Sequence, residues 1–325
     1  MSPEATEGAA HPPPARVRNT VKPEPDLTTR LGPLVLRSPL IAASGTVGSV
    51  VELAGVADLS VYGAAVAKSV SAEPWSGRPA PRVAPAGIGM LNGIGIQNPG
   101  IEAWRNEVGP RLENLDTPVW GSAVGHTSEE FGLVAKGLEA GGVSAIEVNL
   151  SCPNLDGLMF SLDPRAAEEA VRTVRQAVSI PIGAKLSPNL IDPVPVASAC
   201  AAAGADFLTL TNTIWGAGVD LRSRRPKLSG VIGGYSGPPL KPIALRFVIE
   251  VRNALPAMPI VGCGGVTSGR DIAEYLIAGA QAVAAGTIHL AEPRAGRRLT
   301  DELLEWMRKH KVTSVDSLVG TLDLS

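Results

Sequence analysis

The sequence predicts an α/β fold, a (β/α)8 barrel of the TIM type with an N-terminal hairpin and long loops at the C-terminal mouth. Short apolar segments alternate eight times with amphipathic or Ala-rich segments of helical length, a pattern typical of a parallel sheet. Glycines suited to a left-handed cap end several helical segments, as in Ala203-Gly204-Ala205. An open doubly wound sheet would share this alternation, but eight units in roughly 290 residues favour the closed barrel.

The predicted elements follow one another in strict order. Residues 31–39 are predicted to form a hairpin with a Gly-Pro turn. Strands are predicted at 40–44, 64–70, 118–124, 144–150, 181–186, 206–212, 259–263 and 282–286. Helices are predicted at about 49–58, 100–114, 128–141, 165–178, 192–204, 240–255, 268–279 and 298–310, with caps at Ser128 and Thr267-Ser268. The longest loops, 71–99 and 213–239, follow strands and are therefore expected at the C-terminal mouth.

Composition indicates one large domain preceded by a tail. Residues 1–28 are rich in Pro, Ala, Glu and Thr, and they have too few large apolar side chains to offset chain entropy. We therefore expect a disordered tail over 1–28 and a single barrel domain over 29–325. The chain is 45% hydrophobic and 18% charged, which suits a large core with a modest polar shell.

The charge and the cysteine content limit which partners and which cellular compartment are expected. A formal charge of −2 indicates neither nucleic acid nor another polyanionic partner. The basic cluster at 222–227 is interpreted as a solvated loop in preference to an anion-binding patch. Three cysteines at long spacings indicate neither a disulfide framework nor a metal site, and Cys200 and Cys263 are interpreted as packing residues. With no signal peptide and no run of about 20 apolar residues, we expect a cytoplasmic protein without a membrane partner.

Polar and cationic residues stand where the predicted strands end, beside Val, Ile and Ala. Buried polar groups are costly unless they are paired, so a polar ligand at the mouth of the barrel would supply their partners. These residues are Ser44-Gly45-Thr46, Lys68-Ser69, Ser122, Asn149, Cys152, Lys185, Asn212-Thr213, Gly264-Gly265 and Gly286-Thr287.

The end of the fourth strand, residues 147–154 (EVNLSCPN), carries the most chemistry. Pro153 cannot continue a central strand, so the strand delivers Asn149, Cys152 and Asn154 to one small region. Cys152 has three possible interpretations: a thiol packed in the core, a nucleophile or a general base. None of the four histidines stands in a Cys/His motif, whereas proton abstraction needs only reach and a suitable pKa. The general base is therefore favoured.

Two lysines and two glycine-rich turns indicate an anionic ligand. Lys68 and Lys185 lie within apolar strands, and a contact with a ligand is favoured there over a pair with a carboxylate such as Glu147. A cation beside the pyrimidine part of a flavin would stabilise the anionic reduced ring. The glycines at 262–265 and 284–287 follow the last two strands, the usual phosphate site of such barrels. Tight turns without a ligand are the alternative.

Residues 90–100 (MLNGIGIQNPG) mix side-chain amides with glycines and small apolar residues. This composition suits a flat, amide-rich ligand that needs hydrogen bonds at its edge and apolar contact on its face. A structural omega loop would have a similar composition.

Together these motifs resemble the dihydroorotate dehydrogenase family over roughly residues 30 to 320. The cysteine of the fourth-strand motif resembles class 1, since the membrane-bound class 2 enzymes carry serine there. The second-strand and phosphate-loop motifs are similar to the catalytic subunit of class 1B. The motifs are NLSCPN at 149–154, LNGIGIQNPG at 91–100, AKS at 67–69, SGPPLKPIALR at 236–246, GCGG at 262–265 and AAGT at 284–287.

The resemblance implies an FMN-dependent barrel that oxidises dihydroorotate to orotate in pyrimidine synthesis. Cys152 would remove the C5 proton while hydride leaves C6 for flavin N5. The substrate would be held by Lys68, Asn92, Gly95, Ile96, Asn149, Asn154, Asn212 and Thr213. FMN would be held by Ser44, Gly45, Lys68, Ser69, Asn149, Lys185, Gly237, Gly264, Gly265, Gly286 and Thr287. No metal is implied.

Two departures from the family pattern concern the site. Ser122 stands where the family often has an asparagine that touches the flavin, and loop 155–163 lacks the Gly-Gly pair of class 1B. Class 1B enzymes pass electrons to NAD through a second subunit with FAD and an iron–sulfur cluster, whereas class 1A enzymes use fumarate. The resemblance implies such a partner subunit and a homodimeric core. The other hypotheses are a dihydropyrimidine dehydrogenase-like flavoenzyme, a non-redox barrel that binds a phosphorylated metabolite, and a non-catalytic paralogue.

Overall fold

Eight parallel strands close into a barrel in the computed structural model, which describes residues 24–150 and 160–325. The barrel strands are β3, β4, β7, β8, β9, β10, β15 and β16 in their order around the barrel. The described strands are β1 Thr29–Leu31, β2 Leu34–Leu36, β3 Leu40–Ala42, β4 Ala64–Val66, β5 Val83–Ala86, β6 Gly89–Asn92, β7 Val119–Ala123, β8 Ala145–Asn149, β9 Ile182–Leu186, β10 Phe207–Leu210, β11 Ile214–Ala217, β12 Val219–Asp220, β13 Arg225–Pro226, β14 Ile232–Ser236, β15 Ile260–Cys263 and β16 Ala282–Ala285. All eight predicted barrel strands are confirmed.

Helices surround the barrel and follow its strands. The described α-helices are α1 Ile101–Glu107, α2 Ser128–Ala140, α3 Pro164–Ala177, α4 Val194–Ala202, α5 Lys241–Ala254, α6 Gly269–Ala278, α7 Ile288–Ala291 and α8 Ala295–His310. Single-turn and longer 3-10 helices lie at Leu59–Val61, Gly109–Asn114, Phe160–Leu162, Pro238–Leu240 and Val315–Leu318. Six of the predicted helices, those after the fourth to eighth strands and α2, are confirmed within a few residues.

The interior of the barrel is filled by side chains below the mouth. The predicted hairpin is confirmed as β1 and β2, and its Leu31 and Leu36 pack into the bottom of the barrel. Above them, the rings of Trp120 and Phe207 lie 5.0 Å apart between centroids. Gly183 makes room for Phe207, because a Cβ there would lie 2.1 Å from the ring. Among the described residues, this apolar plug fills the barrel below the cavity that opens at the C-terminal ends of its strands.

Three local predictions are wrong. Residues 49–58 form turns instead of a helix, and Gly48 and Val50 have φ angles of +59° and +74°, which α-helical backbone does not allow. The single helix predicted at 100–114 is two elements: α1 ends at Glu107, and a 3-10 helix follows over Gly109–Asn114. Pro110 has no N–H to donate to a continued α-helix. The N-terminal cap of α2 is Thr127 and not Ser128.

The two long segments at the mouth are not irregular loops. They contribute β5, β6, β11 and β14 to a four-stranded antiparallel sheet in the order β11-β14-β6-β5. Asn92 of β6 pairs with Gly234 of β14, so this sheet ties the second and sixth barrel loops together. The basic cluster lies at the β12–β13 hairpin, where the three arginines are exposed as predicted.

Ordered structure reaches into the segment predicted as a tail. Asp26 bridges to Ser314, and the Glu24 carboxylate lies 3.1 Å from Arg308. Residues 24–28 thus contact the C-terminal part of the barrel domain, and residues 1–23 lie outside the described residues.

Candidate active site

A cavity of about 450 Å³ opens at the C-terminal ends of the barrel strands. It is bounded by residues within or just after seven of the barrel strands and by the four-stranded sheet above them. Cys152 and Asn154, the predicted base and its neighbour, lie outside the described residues. The other residues predicted to bind the substrate or FMN all line this cavity: Ser44, Gly45, Lys68, Ser69, Asn92, Gly95, Ile96, Asn149, Lys185, Asn212, Thr213, Gly237, Gly264, Gly265, Gly286 and Thr287.

Side-chain amides and hydroxyls form a chain of hydrogen bonds across the floor of the cavity. Asn212 Nδ2 donates to Asn149 Oδ1 over 3.3 Å, and Asn149 Nδ2 donates to Ser69 Oγ over 3.1 Å. Ser69 Oγ is in turn 2.9 Å from Ser122 Oγ. Ser122 is fully buried and does not line the cavity, so its hydroxyl acts on the site through Ser69. The chain fixes the orientation of both asparagine amides.

Lys185 lies at the bottom of the cavity above a buried carboxylate. Its Nζ is 3.4 Å from Glu147 Oε1, and both side chains are at least nine-tenths buried. Thr209 Oγ1 donates to the other oxygen of Glu147 over 3.0 Å. From the sequence, an ion pair with a carboxylate and a contact with a ligand were alternatives for Lys185. In the structure, Lys185 pairs with Glu147 and also lines the cavity.

The electrostatics of this cluster keep Lys185 cationic. Burial disfavours the ammonium, but attraction to Glu147 outweighs it and raises the pKa of Lys185 above its usual value. Cys263 also lines the cavity, and burial raises the pKa of its thiol although Lys185 opposes this. The floor of the cavity therefore presents a buried cation and a neutral thiol.

Glycines form a second part of the cavity wall. Gly237, Gly264 and Gly265 have φ angles of +101°, +147° and +68°, a region that L side chains rarely adopt. A Cβ on Gly286 would meet only Ala43 and Thr46, at 3.5 and 3.7 Å, and both of these residues also line the cavity. The missing side chain at Gly286 thus leaves room that a ligand can fill.

A buried tyrosine–histidine pair contacts one of these glycines, Gly286, from outside the cavity. Tyr62 Oη is 2.8 Å from His289 Nε2, and His289 Nδ1 is 3.1 Å from the Gly286 carbonyl oxygen. Tyr62 is fully buried and His289 is 2% exposed. Burial is the main cause that lowers the pKa of His289 from 6.5 to about 4, so its imidazole is neutral at pH 7.

His289 is expected to make the stability of the fold depend on pH between about 6.5 and 4. In this range the unfolded chain binds a proton that the folded chain does not, so the free energy of unfolding falls as the pH drops. The shift corresponds to about 3 kcal/mol across the range. Urea unfolding at pH 7 and pH 4 should show a smaller decline for His289→Asn than for the wild type, and an equal decline would contradict the assignment.

Sequence reasoning missed several residues around the site. Thr209 and Ser236 were not singled out, yet Thr209 bonds Glu147 and Ser236 Oγ lies 2.8 Å from Thr287 Oγ1. Cys263 was interpreted as packing but lines the cavity. The alternation within β10 and β15 could have placed Thr209 and Cys263 on the inward face. The Tyr62–His289 pair carried no local signal, because 227 residues separate its members.

Two classes of feature are not found in the described part of the chain. Residues 24–150 and 160–325 contain no group of three or more His, Cys, Asp or Glu side chains arranged to hold a metal ion. Within the same ranges, no helix combines the length and apolar character needed to cross a bilayer.

Comparisons with known proteins agree on one family. The sequence profile of the family described as "Dihydroorotate dehydrogenase" matches residues 26–307. The "Dihydroorotate dehydrogenase B (NAD(+)), catalytic subunit" of Citrifermentans bemidjiense is 45% identical over 303 residues, covering 92% of this chain and 99% of that protein. The protein of the same name from Geotalea daltonii is 42% identical over 304 residues, with 93% and 99% coverage.

A solved structure shares the fold. The DHODH of Eimeria tenella in complex with ferulenol superposes with a TM-score of 0.78, covering 93% of this chain and 90% of that one. Its sequence is only 20% identical, so this likeness supports the barrel architecture and nothing finer.

Proposed function

The chain belongs to the dihydroorotate dehydrogenase family, and from that premise we propose that it oxidises dihydroorotate to orotate in pyrimidine biosynthesis, using FMN. The observation that carries the proposal is the convergence of all sixteen described candidate residues on one cavity at the strand ends. A volume of about 450 Å³ lies within the usual range of small-molecule sites. The activity makes the protein an oxidoreductase.

Two parts of the cavity wall suit the two ends of FMN. The positive-φ glycines and the room beside Gly286 suit a phosphate approached closely by backbone. Lys185 and Lys68 suit the electron-rich pyrimidine edge of the ring, where a fixed cation stabilises negative charge. When bound, FMN would supply the hydride acceptor, which no side chain can provide.

We assign the remaining polar residues to the substrate. Asn149, Asn212 and Thr213 present amide and hydroxyl groups that can pair with the cyclic amide and carboxylate of dihydroorotate. Asn92 approaches from the sheet above, where its Nδ2 donates to the Gly234 carbonyl over 3.2 Å. Cys152 would remove the C5 proton, and Asn154, two residues later in the sequence, would contact the substrate. Lys68, Gly95 and Ile96 complete the proposed substrate set.

Visible absorption of the purified chain tests the proposal directly. We expect a yellow protein whose flavin band is bleached by dihydroorotate without oxygen, and left unchanged by dihydrouracil, which lacks the carboxylate. A colourless protein that stays colourless after FMN is added would contradict the flavin assignment. Bleaching by dihydrouracil alone would favour the dihydropyrimidine dehydrogenase-like alternative.

Gly286→Ala should weaken FMN binding by tenfold or more, because the new methyl group would occupy space beside the phosphate end. The backbone of Gly286 is not in the left-handed region, so the fold should tolerate alanine. Flavin titration measures the loss, and the melting temperature of the flavin-free chain is the control. Wild-type affinity in this variant would place the phosphate elsewhere.

We further propose an electron-transfer partner subunit with FAD and an iron–sulfur cluster, through which NAD is reduced. The support is that the relatives are named NAD(+)-dependent catalytic subunits. The chain has three cysteines, fewer than the four that such a cluster usually needs. The isolated chain should then reduce neither NAD nor fumarate efficiently, and rapid fumarate reduction would contradict the assignment. A homodimeric core and a cytoplasmic location complete the proposal, and light scattering tests the dimer.

A further inference from the structure

His289 lies behind the wall of the cavity and uses both of its ring nitrogens. It does not line the cavity, but Gly286 and Thr287, just before it in sequence, do. Its Nδ1 contacts the Gly286 carbonyl oxygen at 3.1 Å, and its Nε2 contacts Tyr62 Oη at 2.8 Å. The Gly286 carbonyl also accepts the backbone N–H of His289 over 2.9 Å. Two donors from one residue thus hold this carbonyl.

The direction of the hydrogen bonds follows from the chemistry of the groups. A carbonyl oxygen only accepts, so Nδ1 of the neutral imidazole must carry the proton, and Nε2 must accept. Tyr62 therefore donates its hydroxyl hydrogen to Nε2 of His289. Hydrogen-bond donation therefore runs in one direction, from Tyr62 through His289 to the Gly286 carbonyl. Because burial keeps the imidazole neutral, this sense does not reverse at physiological pH.

The pinned carbonyl determines which group faces the ligand. In a trans peptide the C=O of one residue and the N–H of the next point in opposite directions. With the Gly286 carbonyl held towards His289, the Thr287 N–H is directed away from His289, towards the cavity that Gly286 and Thr287 line. A carbonyl turned the other way would present its negative end to a phosphate. The orientation therefore distinguishes an anion-binding wall from an anion-repelling one.

We propose that His289, held by Tyr62, is a positioning residue that makes the site select a flavin with a terminal phosphate over one without. This inference rests on the proposed FMN function, and it concerns only the phosphate end. Riboflavin has the same ring and ribityl chain but no phosphate. Its affinity should therefore not depend on the orientation of the Gly286 peptide.

Two substitutions of His289 separate positioning from packing. The side-chain amide nitrogen of asparagine is as far along the side chain as Nδ1, so His289→Asn keeps a donor for the Gly286 carbonyl. Glutamine carries its amide at the distance of Nε2, so His289→Gln loses this donor while filling more of the space. Tyr62→Phe removes the donor that fixes the imidazole proton on Nδ1, and leaves the ring of residue 62 in place.

The experiment titrates the full chain, freed of flavin, with FMN and with riboflavin, and compares the ratio of the two affinities. His289→Gln should bind FMN about tenfold or more weakly than the wild type, because the Thr287 N–H would no longer be held for its hydrogen bond to the charged phosphate. Its affinity for riboflavin should be unchanged. His289→Asn should keep the wild-type ratio, and Tyr62→Phe should lower it in the same direction. Melting temperatures of each flavin-free variant report folding separately.

The outcomes are distinct. An unchanged ratio in both His289→Gln and Tyr62→Phe overturns the inference, and an equal loss of both flavins reduces His289 to a packing role. If His289→Gln does not fold, the ratio in Tyr62→Phe decides. A wild-type chain that binds neither flavin overturns the proposed function itself. A wild-type chain that binds both flavins equally well keeps the proposed function but overturns the inference about His289.

Discussion

Cys152→Ser is expected to leave FMN bound while slowing flavin reduction by dihydroorotate by about two to four orders of magnitude at neutral pH. A thiol has an ordinary pKa near 8.5, so an appreciable fraction is thiolate at pH 7 to 8. A serine hydroxyl is a far weaker base, and none of the four histidines stands in a Cys/His motif in the sequence. Stopped-flow bleaching of the flavin band without oxygen measures the change.

Two other thiols provide matched controls for this substitution. Cys263 lines the same cavity, and Cys200 is buried in α4 away from it. Burial raises the pKa of both thiols, that of Cys200 to about 12, so neither is suited to accept a proton at neutral pH. Cys263→Ser and Cys200→Ser should bleach within a few-fold of the wild-type rate. Unchanged kinetics in Cys152→Ser would mean that the base lies elsewhere, and a large loss in Cys263→Ser would point to that thiol.

The pH dependence offers a second check on the base. Reduction by the wild-type chain should rise with pH and level off once the Cys152 thiol is ionised. Reduction by Cys152→Ser should continue to rise beyond that pH, because the serine hydroxyl ionises only at much higher pH. Parallel profiles for the two proteins would contradict the role of Cys152.

The barrel strands could be predicted because their signal is local. Each is a short apolar run that ends in a turn, and burial on both faces makes such runs continuous in sequence. The sheet above the mouth was not predicted, because its pairing joins distant segments, as Leu91 with Tyr235. The segment at 49–58 has helix-forming composition, but Val50 and Gly48 adopt left-handed backbone there, a tertiary effect.

For the site, the sequence could predict which residues meet. Once a barrel is assumed, every strand end must face one mouth, and this places Lys68, Asn149 and Lys185 together without any knowledge of side-chain contacts. The contacts themselves could not be predicted. The choice of Glu147 as partner of Lys185 and the link from Tyr62 to His289 depend on side-chain directions that the spacing of residues does not reveal.

Lys185→Met is expected to lower the free energy of unfolding by about 3–5 kcal/mol, because it leaves the Glu147 carboxylate buried without its cation. Thr209 would remain as a hydrogen-bond donor to Glu147, but a hydroxyl does not neutralise the charge. Glu147→Gln should destabilise for the converse reason. Urea unfolding of the flavin-free chain measures each change.

The decisive quantity is the coupling between the two substitutions. The double variant Lys185→Met with Glu147→Gln buries no charge, so it should be more stable than the sum of the two single losses implies. Arg37 and Asp116 form an exposed pair at 3.2 Å, and Arg37→Met should cost less than about 1 kcal/mol as the matched surface control.

The pH of the measurement is set by the sign of the shift at Lys185. Burial disfavours the ammonium, but Glu147 raises its pKa above the unfolded value, so the contribution of the pair is complete below the ordinary lysine pKa. It is lost only as the pH rises through the higher folded pKa. Unfolding at pH 7 therefore reports the whole interaction between these residues. Strictly additive losses at that pH would show that Glu147 and Lys185 act independently, and that the cation at the floor of the cavity does not depend on the carboxylate beneath it.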